Sequence, residues 1–166
     1  MKVYDPHTDL NLIKDPEGFY LIKNPFARIV GVLGGVEQVG QVVNSDIDLI
    51  AISRKGLPKS TVYYLSQVLD VSMERLSELL HISHRTLQRK DDDDLLNVSI
   101  TEQLFEMAEV VSEGIEVFGS LEKFRIWLHS SPYIFNGQKP LDLLDTRFGL
   151  QYLKNILGRI AHGIPS

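Results

Sequence analysis

The sequence contains no cysteine, which excludes disulfides, thiolate nucleophiles and Cys-ligated zinc together. It also lacks any run near the eighteen consecutive apolar residues that a membrane span needs. The first twenty residues carry Asp5, Asp9, Asp15 and Glu17 and no long apolar stretch, so no secretory signal is read and a cytoplasmic chain is expected. No Gly-x-Ser-x-Gly elbow is present, and the glycines of GGVEQVG (34–40) lack the Gly-Lys-Ser/Thr ending of a phosphate loop. What remains is 166 residues at 43% hydrophobic and 23% charged, the composition of one average globular domain or two small ones.

Charge is scarce in an uneven way. The formal net charge is −5, yet residues 1–90 hold 11 Lys/Arg against 10 Asp/Glu, residues 91–118 hold none against 9, and residues 119–166 hold 6 against 3. The acidity therefore sits in one central stretch. Immediately before it lies HISHRTLQRK (81–90), with Arg85, Arg89 and Lys90 and no acid, so a local cationic patch is compatible with an acidic chain.

Hydrophobic spacing predicts an all-α protein. Residues 1–23 show no sustained period and read as an arm. Asn24 caps and Pro25 opens a short helix with Phe26, Ile29, Val30 and Leu33 inward, stopped by Gly34-Gly35. Val36, Val39, Val42 and Val43 suggest a second helix. DIDLIAISRKG (46–56) reads as a helix with a C-terminal glycine, although its β-branched content keeps a strand open. Ser60 is expected to cap a helix with Leu65, Val68 and Leu69, and Ser72 the next, with Leu76, Leu79 and Leu80. After a break at His81-Ile82, Ser83 caps a third short helix anchored by Leu87. Ser99-x-x-Glu102 looks like a capping box for a long helix with Leu104, Met107, Ala108, Val111, Ile115 and Phe118 on one face and Glu102, Glu106, Glu109, Glu113 and Glu116 on a solvated other. Ser120 opens a helix with Leu121, Phe124, Trp127 and Leu128. Asn136-Gly137 marks a turn, and Thr146 caps a last helix with Phe148, Leu150, Leu153, Ile156, Leu157 and Ile160, ended by Gly163 and Pro165.

Metal chemistry is poorly provided for. Asp91 to Asp94 lack the spaced ligands and glycine of a calcium loop, and read as a solvated linker or cap. His81 and His84 straddle a turn with no third ligand, so neither zinc nor any cofactor is expected. The two short helices over 72–90 are compatible with an ordinary helical hairpin. The second also has what a DNA recognition helix needs: polar and cationic side chains on its leading turn and one apolar anchor. Ser83, Arg85, Thr86, Gln88, Arg89 and Lys90 are the candidate DNA contacts, with arginine able to pair bidentately with guanine.

Two stretches resemble the Xre/MbcA/ParS antitoxin family. One is the helix-turn-helix ending I-S-x-R-T-L-x-R, here Ile82, Ser83, Arg85, Thr86, Leu87 and Arg89. The other runs through Trp127, Leu128, Gly137, Pro140 to Thr146, Gly149, Leu157, Arg159, Ile160 and Gly163. The resemblance implies an antitoxin of a type II toxin-antitoxin pair that neutralises an NAD-depleting RES-domain toxin by covering its active site. It also implies a repressor of its own operon promoter, a homodimer within a hetero-oligomer, and no enzymatic activity. The expected organisation is an arm (1–23), a helix-turn-helix DNA-binding region (24–118) and a toxin-binding domain (119–166). The apolar positions of the last segment read as core, so Asp145, Arg147, Arg159, His162 and Gly163 are the candidates for the toxin surface. A stand-alone transcription regulator without a toxin and a protein-only antitoxin remain as alternatives, and an enzyme is the least supported, because no nucleophile, base and orienting group can be placed together.

Overall fold

The computed structural model describes residues 24–163, so the expected arm and Pro165 lie outside them. Among the described residues every regular element is helical, and the one extended pairing is an isolated bridge between Pro58 and Leu95. The helices are α1 (Pro25–Val32), α2 (Val36–Val39), α3 (Asp46–Lys55), α4 (Ser60–Leu69), α5 (Met73–Leu79), α6 (His84–Gln88), α7 (Val98–Phe118), α8 (Leu121–Leu128) and α9 (Arg147–Ala161). Two 3-10 turns, Tyr133–Phe135 and Pro140–Asp145, fill the α8–α9 connection.

The side-chain caps place most boundaries. The Asn24 side-chain oxygen accepts the Phe26 N–H at 3.0 Å, and the hydroxyls of Ser72, Ser83, Ser120 and Thr146 accept N–H groups three residues on at 3.0 to 3.1 Å. The 46–56 segment is a helix: Ser45 and Asp48 close a reciprocal capping box at its start, and Gly56 ends it at φ 100°. The backbone N–H of Asn44 and the Ser45 hydroxyl hold the Asp48 carboxyl below its ordinary pKa.

Three expectations are corrected. α2 is one turn, because Gly40 enters the left-handed region and leaves Val42 exposed while Val43 turns back into the core. Lys59, without a side-chain cap bond, precedes α4, and Ser60 is its first helical residue. α7 starts at Val98 on the side chain of Asn97, so Ser99 lies inside the helix and forms no box with Glu102. Thr101 anchors this end of the helix. Its buried hydroxyl accepts the Leu57 N–H at 3.1 Å, which fixes the beginning of α7 against the chain entering α4.

α7 is the axis of the molecule. It packs against α1, α3, α4, α8 and α9, and Leu104, Met107, Ala108, Val110, Val111 and Ile115 are fully enclosed. Contact with helices on several sides is why this helix carries more apolar residues than one stripe would need. A single apolar core runs from Ile29 to Leu157, so the helices on either side of Gly119 share one interior. Gly149 shows how closely they fit: a Cβ there would stand 1.9 Å from the Leu143 carbonyl oxygen, and only glycine lets α9 meet the second 3-10 turn at that distance.

Candidate DNA and partner surfaces

α5 and α6 form the expected pair of short helices. Leu76, Leu79, Leu80 and Leu87 are buried, and His81, at φ 55°, turns the chain between them. Enclosing Leu87 contributes about 2 kcal/mol toward seating a five-residue helix that has little propensity of its own. Arg85, Thr86, Gln88 and Arg89 are exposed, and among the described residues neither arginine is ion-paired. The Ser83 hydroxyl is occupied by its cap and by a 2.6 Å bond to the Thr86 hydroxyl. Lys90 is half-buried, and its carbonyl accepts the Lys59 ammonium at 2.7 Å.

Asp91 to Asp94 neither extend α6 nor cap α7. They form an exposed turn folded back on the start of α4, where Ser60 N–H donates to the Asp92 carbonyl and Lys59 N–H to the Asp94 carbonyl, both at 2.9 Å. The Lys59 ammonium also lies 3.3 Å from the Asp92 carboxylate. Among the described residues there is no group of three or more His, Asp or Glu side chains placed to hold a metal ion.

The acidic side of α7 is not simply solvated, because α1 and α9 bring cations to it. Arg147 reaches Glu102 at 3.7 Å and Glu106 at 3.3 Å, Lys154 bonds Glu109, and Arg28 lies 2.7 Å from Glu116. The spacing carries the signal: cations seven apart on α9 match carboxylates three to seven apart on α7, two faces with the same helical repeat. Arg28, Glu102, Glu106, Glu109, Glu113 and Arg147 line a groove of about 730 Å³ between α1, α3, α7 and the start of α9. Half-burial there, with Glu109 and Glu116 nearby, raises the Glu113 carboxyl above its ordinary pKa despite Lys154 and Arg28.

The five candidates for the partner surface fall in different places. Asp145 is half-buried, with its carbonyl bonded to His81 Nε2 at 2.7 Å, and Arg147 turns toward α7. Arg159, His162 and Gly163 are exposed at the far end of α9, roughly 20 Å away at the helical rise. Between them runs a stripe that apolar spacing alone does not reveal. Phe148, expected inside, is 92% exposed, and Phe148, Tyr152, Asn155 and Arg159 align on the outer side of α9. A helical wheel would have shown it, since Leu150, Leu153 and Leu157 point the opposite way. Tyr152 also packs edge-on against Phe135 at 5.9 Å, which brings the first 3-10 turn, with Tyr133 at 96% exposure, beside the stripe. No acid occurs in α9.

Several further bonds tie the two halves of the chain. Arg125 Nε donates to the Val68 carbonyl at 2.8 Å, its Nη2 donates to that of Gln67, and His129 Nε2 bonds the Leu69 carbonyl at 2.9 Å, so α8 caps the end of α4. Arg75 of α5 bonds Asp142 at 2.6 Å and Glu78 at 2.8 Å; Glu78 above all, and Asp142 with it, hold the guanidinium more firmly protonated. Gln103 donates to the Leu79 carbonyl at 2.8 Å.

Comparison with known proteins assigns both halves. Residues 48–109 match the model of the antitoxin Xre-like helix-turn-helix domain, and residues 113–163 that of the antitoxin Xre/MbcA/ParS C-terminal toxin-binding domain. Antitoxin Xre of Pseudomonas putida (strain KT2440) is 32% identical over 80 residues, a stretch that spans 48% of this chain and 50% of that protein. The two models follow one another without overlap, meet near the last turns of α7 and together account for most of the described residues, so the chain belongs to the Xre/MbcA/ParS family of antitoxins.

Proposed function

We propose that this antitoxin neutralises a RES-domain, NAD-depleting toxin through the outer side of α9 and represses its own operon through α6. One observation carries the reading: the exposed side of α6 and the exposed outer side of α9 fall one in each matched segment. α6 offers Arg85, Thr86, Gln88 and Arg89, with Lys90 at its end, as cations and hydrogen-bonding groups for phosphates and base edges, and Ser83 orients its first turn. The α9 stripe offers large apolar groups rimmed by cations, the make-up of an interface hot spot. Arg159 and His162, with Gly163 after them, extend the stripe toward the toxin's entrance, while Asp145 and Arg147 border it at the other end. The protein then acts by occlusion and carries out no reaction of its own.

The test co-expresses the chain with the neighbouring toxin reading frame and follows NAD. Wild-type antitoxin and Arg85→Ala/Arg89→Ala are expected to preserve NAD, and only the latter to release the promoter in a gel shift. NAD preserved equally without antitoxin would remove the RES assignment. Promoter binding without any toxin complex would favour the stand-alone regulator.

A further inference from the structure

A second groove, of about 480 Å³, runs beside α6 between the end of α3 and the start of α7. Lys55, His81, Thr86, Lys90 and Asn97 line it over apolar Ile82 and Leu95, and no carboxylate does. In a chain of net charge −5, such a lining selects an anion. Among the described residues neither lysine is ion-paired, and the Asn97 side-chain oxygen is committed to the Ile100 N–H at 2.9 Å, which leaves its amide N–H groups to donate. The nearby aspartates are engaged elsewhere: the Asp92 carboxylate pairs with Lys59, and that of Asp94 accepts the Asp91 N–H at 2.9 Å. Lys55 is set in place by the fold. Gly56 ends α3 at φ 100°, where a Cβ would collide with the Leu96 carbonyl oxygen, and the Leu96 N–H donates to the Leu57 carbonyl at 2.8 Å. The end of α3 is thus pinned to the chain that leaves α6.

At helical spacing Thr86 and Lys90 stand about a quarter-turn round α6 from Arg85 and Arg89. A helix about 10 to 12 Å across fills a major groove about 12 Å wide, so its front meets base edges and its flanks meet the two phosphate strands. We infer that the groove beside α6 seats one of those strands, with Lys55 and Lys90 on phosphate oxygens, Asn97 donating beside them, and Ile82 and Leu95 against the deoxyribose. Lys55 then contacts DNA from outside the α5–α6 pair. Such a contact carries no sequence information; it sets the angle at which the recognition helix enters the major groove. The inference rests on the DNA half of the proposed function and deepens it by naming the strand contact that orients α6.

Fluorescence anisotropy of the full chain on a promoter duplex and on a scrambled duplex of equal length, titrated across a range of salt, tests it. Lys55→Gln is expected to weaken both duplexes alike, by up to about tenfold in about 0.1 M salt, and to lower the salt slope by about 0.9, the share of one phosphate contact. Lys55→Arg should keep the slope. Lys123→Gln, which removes the same charge from the exposed side of α8, should change neither affinity nor slope. If wild type binds and Lys55→Gln keeps its slope, the inference alone is overturned. An equal fall for Lys123→Gln overturns it too, by showing an effect of net charge, as does a loss confined to the promoter duplex. A wild type that binds neither duplex, with its circular-dichroism melt intact, overturns the DNA reading and the inference together.

Discussion

α6 and α9 serve their surfaces by opposite physics. α6 has five residues, one buried anchor and an exposed side made of charge and hydrogen-bonding groups. α9 has fifteen residues, five of them buried, and exposes aromatic rings. A surface of the first kind acts through fields that salt screens; one of the second kind acts through apolar area that salt leaves almost untouched. On the proposed function, the two partners would then be told apart by ionic strength.

The sharpest way to break this contrast is to remove the rings. Phe148→Ser/Tyr152→Ser should lower affinity for the toxin by about a hundredfold or more, at hot-spot costs of about 2 kcal/mol each, and leave promoter binding unchanged. Calorimetric titration at two salt concentrations checks both the loss and its insensitivity to salt. Next in size, Gly149→Ala forces α9 off the Leu143 carbonyl and should cost about 2 kcal/mol or more of stability in urea unfolding. Because α9 and the α5–α6 pair share one core, the melt should remain a single transition.

Arg85→Ala should cost about 1 to 3 kcal/mol of promoter affinity and relax discrimination at one base pair, whereas Lys90→Ala should weaken all sequences alike and lower the salt slope by about one. Replacing Asp91 to Asp94 with Asn should raise promoter affinity several-fold in about 50 mM salt and hardly at all in about 300 mM, in fluorescence-anisotropy titrations.

Glu113→Gln is the smallest. The carboxyl has a raised pKa in the fold, so its protonated form is favoured there and ionisation at neutral pH destabilises. The variant should melt slightly higher than wild type at pH 7. That difference should shrink as pH falls through the raised pKa and vanish below the ordinary glutamate range.

What could be read from the sequence was local. Caps such as Asn24, Ser72, Ser83, Ser120 and Thr146 act on N–H groups two or three residues away, so their residue types name the helix starts directly. The spacing of Leu76, Leu79, Leu80 and Leu87 likewise marks the α5–α6 pair, since helical periodicity is a property of the segment itself. The start of α7 is local as well, a cap on Asn97, while the Thr101–Leu57 bond that anchors it spans 44 residues and leaves no trace in the spacing. The partner surface was harder still, because an apolar residue on a helix counts toward the core until its angle is checked. Phe148 has the composition of an interior and the position of an exterior. The acidic side of α7 failed the other way, since its cations arrive from Arg28, Arg147 and Lys154, far along the chain in either direction.

The bonds from Arg125 and His129 to the end of α4 carry a consequence for the order in which the chain is made. Synthesis runs from the N-terminus at about 5 to 20 residues per second, so α4, α5 and α6 leave the ribosome seconds before the side chains that close α4. A nascent chain halted before residue 129 has α6 written but not yet braced. On the proposed function, a message that breaks in its last third would yield neither a shield for the toxin nor a finished silencer of the operon, so transcription would rise when shielding falls short.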